Sequence, residues 1–314
     1  MSRNSPLHTN PLKETTFERR DGLALEIEVL DLQQLLKPPY SRETVTPTRT
    51  HFHALLMISG GPSSHYIDFN RHEITAGDLL VIPKGCVQSF DKDRAARGHM
   101  VLFTSNFLTQ CQVDIHGLTE CCEMLLNTSL QLRLGQKPAK QLNRCIDMIK
   151  EHSTSTRETP YAKNSVASAF SLMMFTLAGF SETMAQISDV PQDELVAQFL
   201  VLLEHNYRTN HLGSFYAERL GVSLRTLDRR LNAALDLSSR QAISSRLLLE
   251  AKRLLTLNDI AIKEISYELG FSEPQNFTRF FRAQVAVSPL QFRQKLATRE
   301  WDTYTGCASP ADKL

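Results

Sequence analysis

The sequence predicts an α+β chain of two domains: a β-barrel with helices after it, then an all-α region of two helix-turn-helix units joined by a linker helix. Three observations lead there. Short apolar runs broken by glycine and proline fill residues 15–110, the texture of a barrel or sandwich. From Ser105 onward the apolar residues recur at helical spacing, with few glycines. Near the C-terminus one short pattern occurs twice, 49 residues apart.

The 314 residues suffice for about two domains, each burying its own core. Hydrophobic content of 42% with 22% charged residues places the chain among soluble globular proteins. The first residues are polar and lack the apolar stretch of a secretory signal. Strands are expected at 24–30, 53–59 and 78–83, punctuated by Gly60-Gly61-Pro62, Ala76-Gly77 and Lys84-Gly85. Helices are expected at 118–130, 137–152 and 161–180, with Pro138 and Pro160 where helices begin. The most apolar stretch, Val166–Phe180, is broken by serine and threonine. It is shorter than the ~20 residues of a membrane span, so it reads as a buried helix and no membrane association is expected. These helices offer either a dimer interface or packing against their own barrel. Residues 1–187 thus form the first domain, with a barrel over about 15–110 and helices over about 115–185. A linker at 188–194 leads into a second domain at 195–299 and a tail at 300–314.

Six cysteines, at 86, 111, 121, 122, 145 and 307, show neither a CxxC spacing nor a disulfide rhythm. Reduced thiols and a cytoplasmic, nucleoid-associated location are expected. Cys121 and Cys122, with Cys111 nearby, admit a redox role, although buried inert thiols are the commoner state.

The repeat carries the functional reading. Ala217-Glu218-Arg219-Leu220-Gly221-Val222-Ser223 returns as Ser266-Tyr267-Glu268-Leu269-Gly270-Phe271-Ser272. In each copy a helix ends at Leu-Gly, the glycine taking the left-handed conformation that closes it. Ser223 and Ser272 are placed to cap the helices that follow. In the first of these, Leu224, Leu227 and Leu231 form an inward stripe, leaving Arg225, Arg229 and Asn232 outside. In the second, Phe277, Phe280 and Phe281 face inward, and Gln275, Thr278, Arg279 and Arg282 point out. Arginine pairs with guanine and glutamine or asparagine with adenine in a major groove, so these faces suit base reading. Thr226, Arg230 and Asn276 complete the expected DNA-contacting set. A lone exposed arginine is more often a surface ion-pair residue; Arg229 and Arg279 at matched positions favour DNA. Between the copies, residues 241–255 form a glycine-free helix able to hold the units about one DNA turn, ~34 Å, apart.

Charge agrees. Residues 208–299 hold 15 Lys and Arg against 8 Asp and Glu, whereas residues 1–207 hold 19 against 23. The basic charge is concentrated where the repeat lies, the footprint of a phosphate-binding region beside an acidic partner.

Residues 195–297 resemble the DNA-binding domain of the AraC/XylS family of bacterial transcription regulators. The resemblance rests on Ala251, Leu254-Leu255, Ile262–Ile265, Leu269–Ser272, Asn276–Arg282 and Ser288–Arg293. It implies a sequence-specific regulator of promoters, an activator that contacts RNA polymerase. Its base-reading positions would fall on Arg225, Asp228 and Arg229, then on Pro274, Gln275, Thr278 and Arg279. Asp228 would repel phosphate and is expected to orient a neighbouring arginine instead. Pro274 has no hydrogen-bonding side chain, so the first unit is expected to supply much of the base specificity.

Gly77, Pro83, Gly85 and Gln88 resemble the second motif of cupin barrels, with Gln88 standing where a metal-binding histidine would be. His51 and His53 supply the pair of the first motif, but Met57 and Ile58 occupy its glutamate positions. Two ligands are too few for a catalytic metal, so neither metal nor cofactor is expected. The resemblance implies a cupin-like sensor for a small-molecule effector, with His51, His53 and Gln88 as candidate contacts. His65 and His72 receive no role. Nucleophile-elbow, phosphate-loop and zinc-protease motifs are missing from the sequence, and no catalytic residue is expected. A cupin-type enzyme and an architectural DNA-binding protein without an input remain as the other two function classes.

Overall fold

The structure is a computed structural model that describes residues 13–17, 25–37, 47–90, 95–110, 130–153, 160–185, 193–256 and 260–297. Among the described residues, ten strands precede most of the helices. They are β1 (Lys13–Thr15), β2 (Ile27–Asp31), β3 (Thr48–Thr50), β4 (His53–Gly60) and β5 (Ser63–Ile67), then β6 (Asn70–Ile74), β7 (Asp78–Ile82), β8 (Val87–Phe90), β9 (Arg97–Phe103) and β10 (Leu130–Arg133). They form two five-stranded sheets in the orders β1-β3-β8-β5-β6 and β10-β7-β4-β9-β2. Strand alternation decides which side chains meet. Ala54, Leu56 and Ile58 of β4 join Ile67, Ile74 and Phe90 of the facing sheet in the barrel interior. Leu55 and Met57 point the other way, into a second core shared with the helices.

Those helices are α1 (Leu32–Leu35), α2 (Ser105–Gln110), α3 (Gln136–Ser153) and α4 (Pro160–Ala185). Leu142, Ile146 and Ile149 of α3 and Val166, Phe170 and Met173 of α4 cover the outer face of the second sheet. Phe170 meets the rings of Phe103 and Phe107 edge-on at 4.8 and 5.1 Å, a favoured aromatic arrangement. The expected helix at 118–130 lies outside the described residues except for Leu130, which begins a strand rather than ending a helix. Cys86 and Cys145 are buried free thiols. Cys111, Cys121, Cys122 and Cys307 lie outside the described residues.

The C-terminal region is all helical: α5 (Glu194–Asn206), α6 (Gly213–Arg219), α7 (Leu224–Leu235), α8 (Ser239–Thr256), α9 (Ile262–Glu268), α10 (Pro274–Val285) and α11 (Pro289–Ala297). One core runs through it, from Phe199 and Tyr216 through Leu247, Leu248, Ala251 and Leu254 to Phe277, Phe281 and Phe292. Helix α8 is the spine, buried on several faces because α6, α7, α9, α10 and α11 all pack on it. No described helix is long and apolar enough to cross a membrane.

Candidate nucleic-acid interface

Helices α6 and α7 form one helix-turn-helix unit, and α9 and α10 form the other. Gly221 and Gly270 sit at φ 68° and 77°, the left-handed geometry that glycine adopts without strain. Three residues past each helix the backbone folds back in the same way. Val222 N–H donates to Ala217 O and Phe271 N–H to Ser266 O, each at 3.0 Å, closing both helices with the Schellman bond.

The correspondence continues beyond the units themselves. Asp236 and Ala286 end α7 and α10 in left-handed conformations, φ 57° and 62°. Ser238 and Gln241 then cap α8 reciprocally: Ser238 N–H donates to Gln241 Oε1 at 2.8 Å and Gln241 N–H to Ser238 Oγ at 3.3 Å. Ser288 and Gln291 do the same for α11 at 2.9 and 3.2 Å. Both are capping boxes, and sequence reading passed over the shared Ser-x-x-Gln that marks them.

Burial sorts the two reading helices. Leu227, Leu231 and Leu235 of α7 and Phe277 and Phe281 of α10 are buried. Leu224, expected on the inward stripe, is exposed, because the first turn of α7 projects past the core. Phe280 is half-buried against the core. Arg225, Arg229, Arg230 and Asn232 are exposed on α7, as are Gln275, Asn276, Arg279 and Arg282 on α10; Thr226 and Thr278 are half-buried. Arg225 and Arg229 lie one helical turn apart on one face, and Gln275 and Arg279 repeat that placement. Among the described residues no ion pair engages Arg225, Arg229, Arg279 or Arg282. Arg230 instead turns to Asp193, Nε to Oδ2 3.1 Å, the residue that caps α5. Thr278 Oγ1 donates to Pro274 O at 3.0 Å within its own helix.

Two further residues stand where sequence reading did not put them. Asp228 Oδ1 accepts the backbone N–H of Ser239 at 2.8 Å. It secures the start of α8 and does not orient an arginine. The matching pair in the second unit, Thr278 and Pro289, needs no such bond, since Pro289 has no N–H. Ser223 caps α7 as expected, accepting from Thr226 N–H at 3.1 Å. Ser272 does not cap α10. An extra residue in that turn shifts the cap position to Glu273, which makes no side-chain bond, and Pro274 enters the first helical turn.

The candidate effector residues do not converge. His51 is exposed, its Nε2 3.4 Å from Glu14 Oε2. His53 is buried on the helix-facing side of its sheet, stacked on Phe103 at 5.4 Å and accepting Lys84 N–H at Nδ1. Gln88 lies in the barrel, with its Oε1 3.1 Å from Nε2 of His65. His65, which had no expected role, is fully buried, and burial holds its imidazole neutral with a pKa of about 3. Its Nδ1, Thr50 Oγ1 and Ser63 Oγ are buried and have no hydrogen-bond partner among the described residues. No group of three or more His, Cys, Asp or Glu that could hold a metal ion occurs among the described residues.

Comparison with known proteins bears on both halves. A family profile described as an AraC-like ligand-binding domain matches residues 36–159, and one described as a helix-turn-helix domain matches residues 216–295. The HTH-type transcriptional activator RhaS of Salmonella paratyphi A is 23% identical over 263 residues, covering 82% of this chain and 90% of that protein. Among solved structures, ToxT of Vibrio cholerae is similar at 15% identity with a TM-score of 0.40, over 78% of this chain and 90% of its own. The DNA-binding domain of AdpA in complex with a target DNA is 28% identical with a TM-score of 0.32, over 35% of this chain and 97% of its own.

Proposed function

Because the chain belongs to the AraC family, joining an AraC-like ligand-binding domain to a helix-turn-helix domain, we propose that it reads promoter DNA through two spaced helices, α7 and α10. It is a DNA-binding transcriptional regulator, and its relatives are regulators rather than enzymes. One observation carries the assignment of contacts. Arg225 and Arg229 on α7, and Gln275 and Arg279 on α10, stand exposed at matched positions with no acidic partner among the described residues. Arginines elsewhere in the same region, such as Arg208, Arg246 and Arg253, are consumed by ion pairs. The unpaired ones therefore suit guanine edges and phosphates, with Asn276, Arg282 and Thr226 flanking them.

The effector reading moves inside the barrel. Thr50, Ser63, His65 and Gln88 are its buried polar groups, and three of them hold atoms that lack a partner among the described residues. Buried polar atoms are ordinarily satisfied, so these suit hydrogen bonds to a bound small molecule. His51 and His53 face elsewhere and take no part in this reading. The chain works as an activator at a promoter, in contact with RNA polymerase, in the bacterial cytoplasm. A second copy of the chain fits the exposed Leu172 and Phe175 of α4 and the neighbouring Met148 of α3; sedimentation of the purified chain checks it.

Selection of duplexes from a random pool by the full-length protein, followed by footprinting, tests the DNA assignment. A preferred sequence with two protected major-groove segments about one helical turn apart is expected. Uniform coverage without a preferred sequence would overturn it.

A further inference from the structure

The tip of the β5–β6 hairpin, Asp68-Phe69, leaves the barrel and enters the helical region. Asp68 adopts φ 51°, a left-handed conformation that aspartate tolerates better than most residues. Its carboxylate takes a forked pair of bonds from Arg253 of α8, Nε to Oδ1 and a terminal guanidinium nitrogen to Oδ2, both 2.8 Å. Beside it Arg49 of β3 donates to Glu250 of α8 at 2.6 Å. The two pairs cross with opposite polarity, since the barrel supplies one cation and one anion and α8 supplies the reverse. All four side chains are buried. Glu250 also receives Arg208 and Arg246. Burial alone would raise its pKa, but the surrounding arginines hold it well below the usual carboxylate range.

Phe69 belongs to the core of the helical region rather than to that of the barrel. Its ring meets Phe292 of α11 at 6.0 Å, and Lys252 of α8 lies 5.7 Å from its centroid. The strands behind this tip connect it to the barrel interior. Asp68 exchanges bonds with Val87 of β8: its N–H donates to Val87 O at 2.6 Å, and Oδ1 accepts Val87 N–H at 3.1 Å. Next to Val87 on β8 is Gln88, which meets His65 of β5 inside the barrel. The same two strands thus present polar groups to the barrel interior and, at the outer end, grip α8.

We propose that the Asp68-Phe69 tip couples the barrel to the DNA-reading helices, delivering a displacement of β5 or β8 to α8 through Asp68–Arg253 and to α11 through Phe69–Phe292. The proposal rests on the reading of α7 and α10 as DNA-binding. Breaking one member of a buried charge pair strands the other, so the contact is made or lost as a unit. A ligand that favours one arrangement of the barrel then shifts the helical region through this contact.

The test uses the full-length chain and two readouts, calorimetric unfolding and affinity for a duplex that the unaltered protein selects from a random pool. The unaltered chain is expected to unfold in one transition. Phe69→Ala should separate it into two and shift DNA affinity by about fivefold or more. Phe69→Leu, which keeps an apolar plug, should restore both. Asp68→Asn should resemble Phe69→Ala; if it fails to fold for want of the Val87 bond, Phe69→Ala still decides, because Phe69 is not part of the barrel core. A single transition for Phe69→Ala with affinity within about twofold of the unaltered chain would overturn the proposal. If the unaltered chain selects no duplex, the DNA reading fails by itself, and the transitions still report whether the tip couples the domains.

Discussion

The two helix-turn-helix units share a backbone plan but are fastened by different forces. The first is held by polar capping: Ser223 closes the start of α7, and Asp228 ties α7 to the first residue of α8. The second is held by aromatic packing, with Phe271, Phe277, Phe281 and Phe292 in a chain of ring contacts at 5.4–5.9 Å. Its turn is also closed from outside. A Cβ on Gly270 would lie 2.0 Å from the carbonyl of Arg208, while one on Gly221 would meet nothing within 4 Å. The first unit therefore presents its reading face on a locally capped helix backed by α5, with open space only around its turn glycine. The second is pinned from behind by Arg208 and His211 in the turn after α5 and by α11, which Phe69 of the barrel meets in its turn. Repetition fixes where the helices go; the neighbours decide how much each can move.

The largest expected effects probe this fastening. Phe281→Ala removes a fully buried ring and should cost about 3–5 kcal/mol of stability, read by denaturant unfolding. Gly270→Ala combines a left-handed φ with a backbone clash and should cost more than the ~1–2 kcal/mol of the conformational penalty alone. Gly221→Ala pays only that penalty. Equal losses at the two glycines would show that the second turn is no more confined than the first.

Next in size are the reading faces. Arg229→Ala and Arg279→Ala should each cost about 1–3 kcal/mol on the selected duplex and little on random DNA. Both are exposed, so neither should alter unfolding. The comparison sharpens by substituting base pairs under each helix. Broader loss of specificity for the α7 variant would assign the first unit the larger share of base reading. Equal loss on selected and random DNA would reduce both arginines to phosphate contacts.

Local sequence marks recover much of this and miss what is not local. Gly221 and Gly270 are legible because only a left-handed residue closes such a helix, and the buried leucines and phenylalanines follow the helical period. Asp228 reads as a support for a neighbouring arginine because its partner, the Ser239 N–H, lies eleven positions away and leaves no mark in the intervening residues. The contact between Asp68 and Arg253 spans 185 positions and could not be found from pattern at all. His51 and His53 fail for a nearer reason. Alternation places residues on one face only within a continuous strand, and a bend at 51–52 precedes β4. His53 thus shares the outward face of Leu55 and Met57, while the candidate groups inside the barrel sit on β3, β5 and β8.

The smallest expected effect is the most direct comparison of the two units, because sequence gives Ser223 and Ser272 the same role. Only Ser223 accepts a backbone N–H. Helix α10 begins at Pro274, whose missing N–H leaves one fewer donor to satisfy, and Glu273 at its cap makes no side-chain bond. Ser223→Ala should therefore lower stability by about 1 kcal/mol, whereas Ser272→Ala, exposed and outside the helix, should stay within about 0.5 kcal/mol. Glu273→Ser then asks whether the second unit can acquire the cap it lacks: a serine there stands at the position matching Ser223. Recovery of stability would show that polar capping and aromatic packing add in one unit. No gain would mean that Pro274 and the phenylalanine core already fix the start of α10, leaving a cap nothing to restrain.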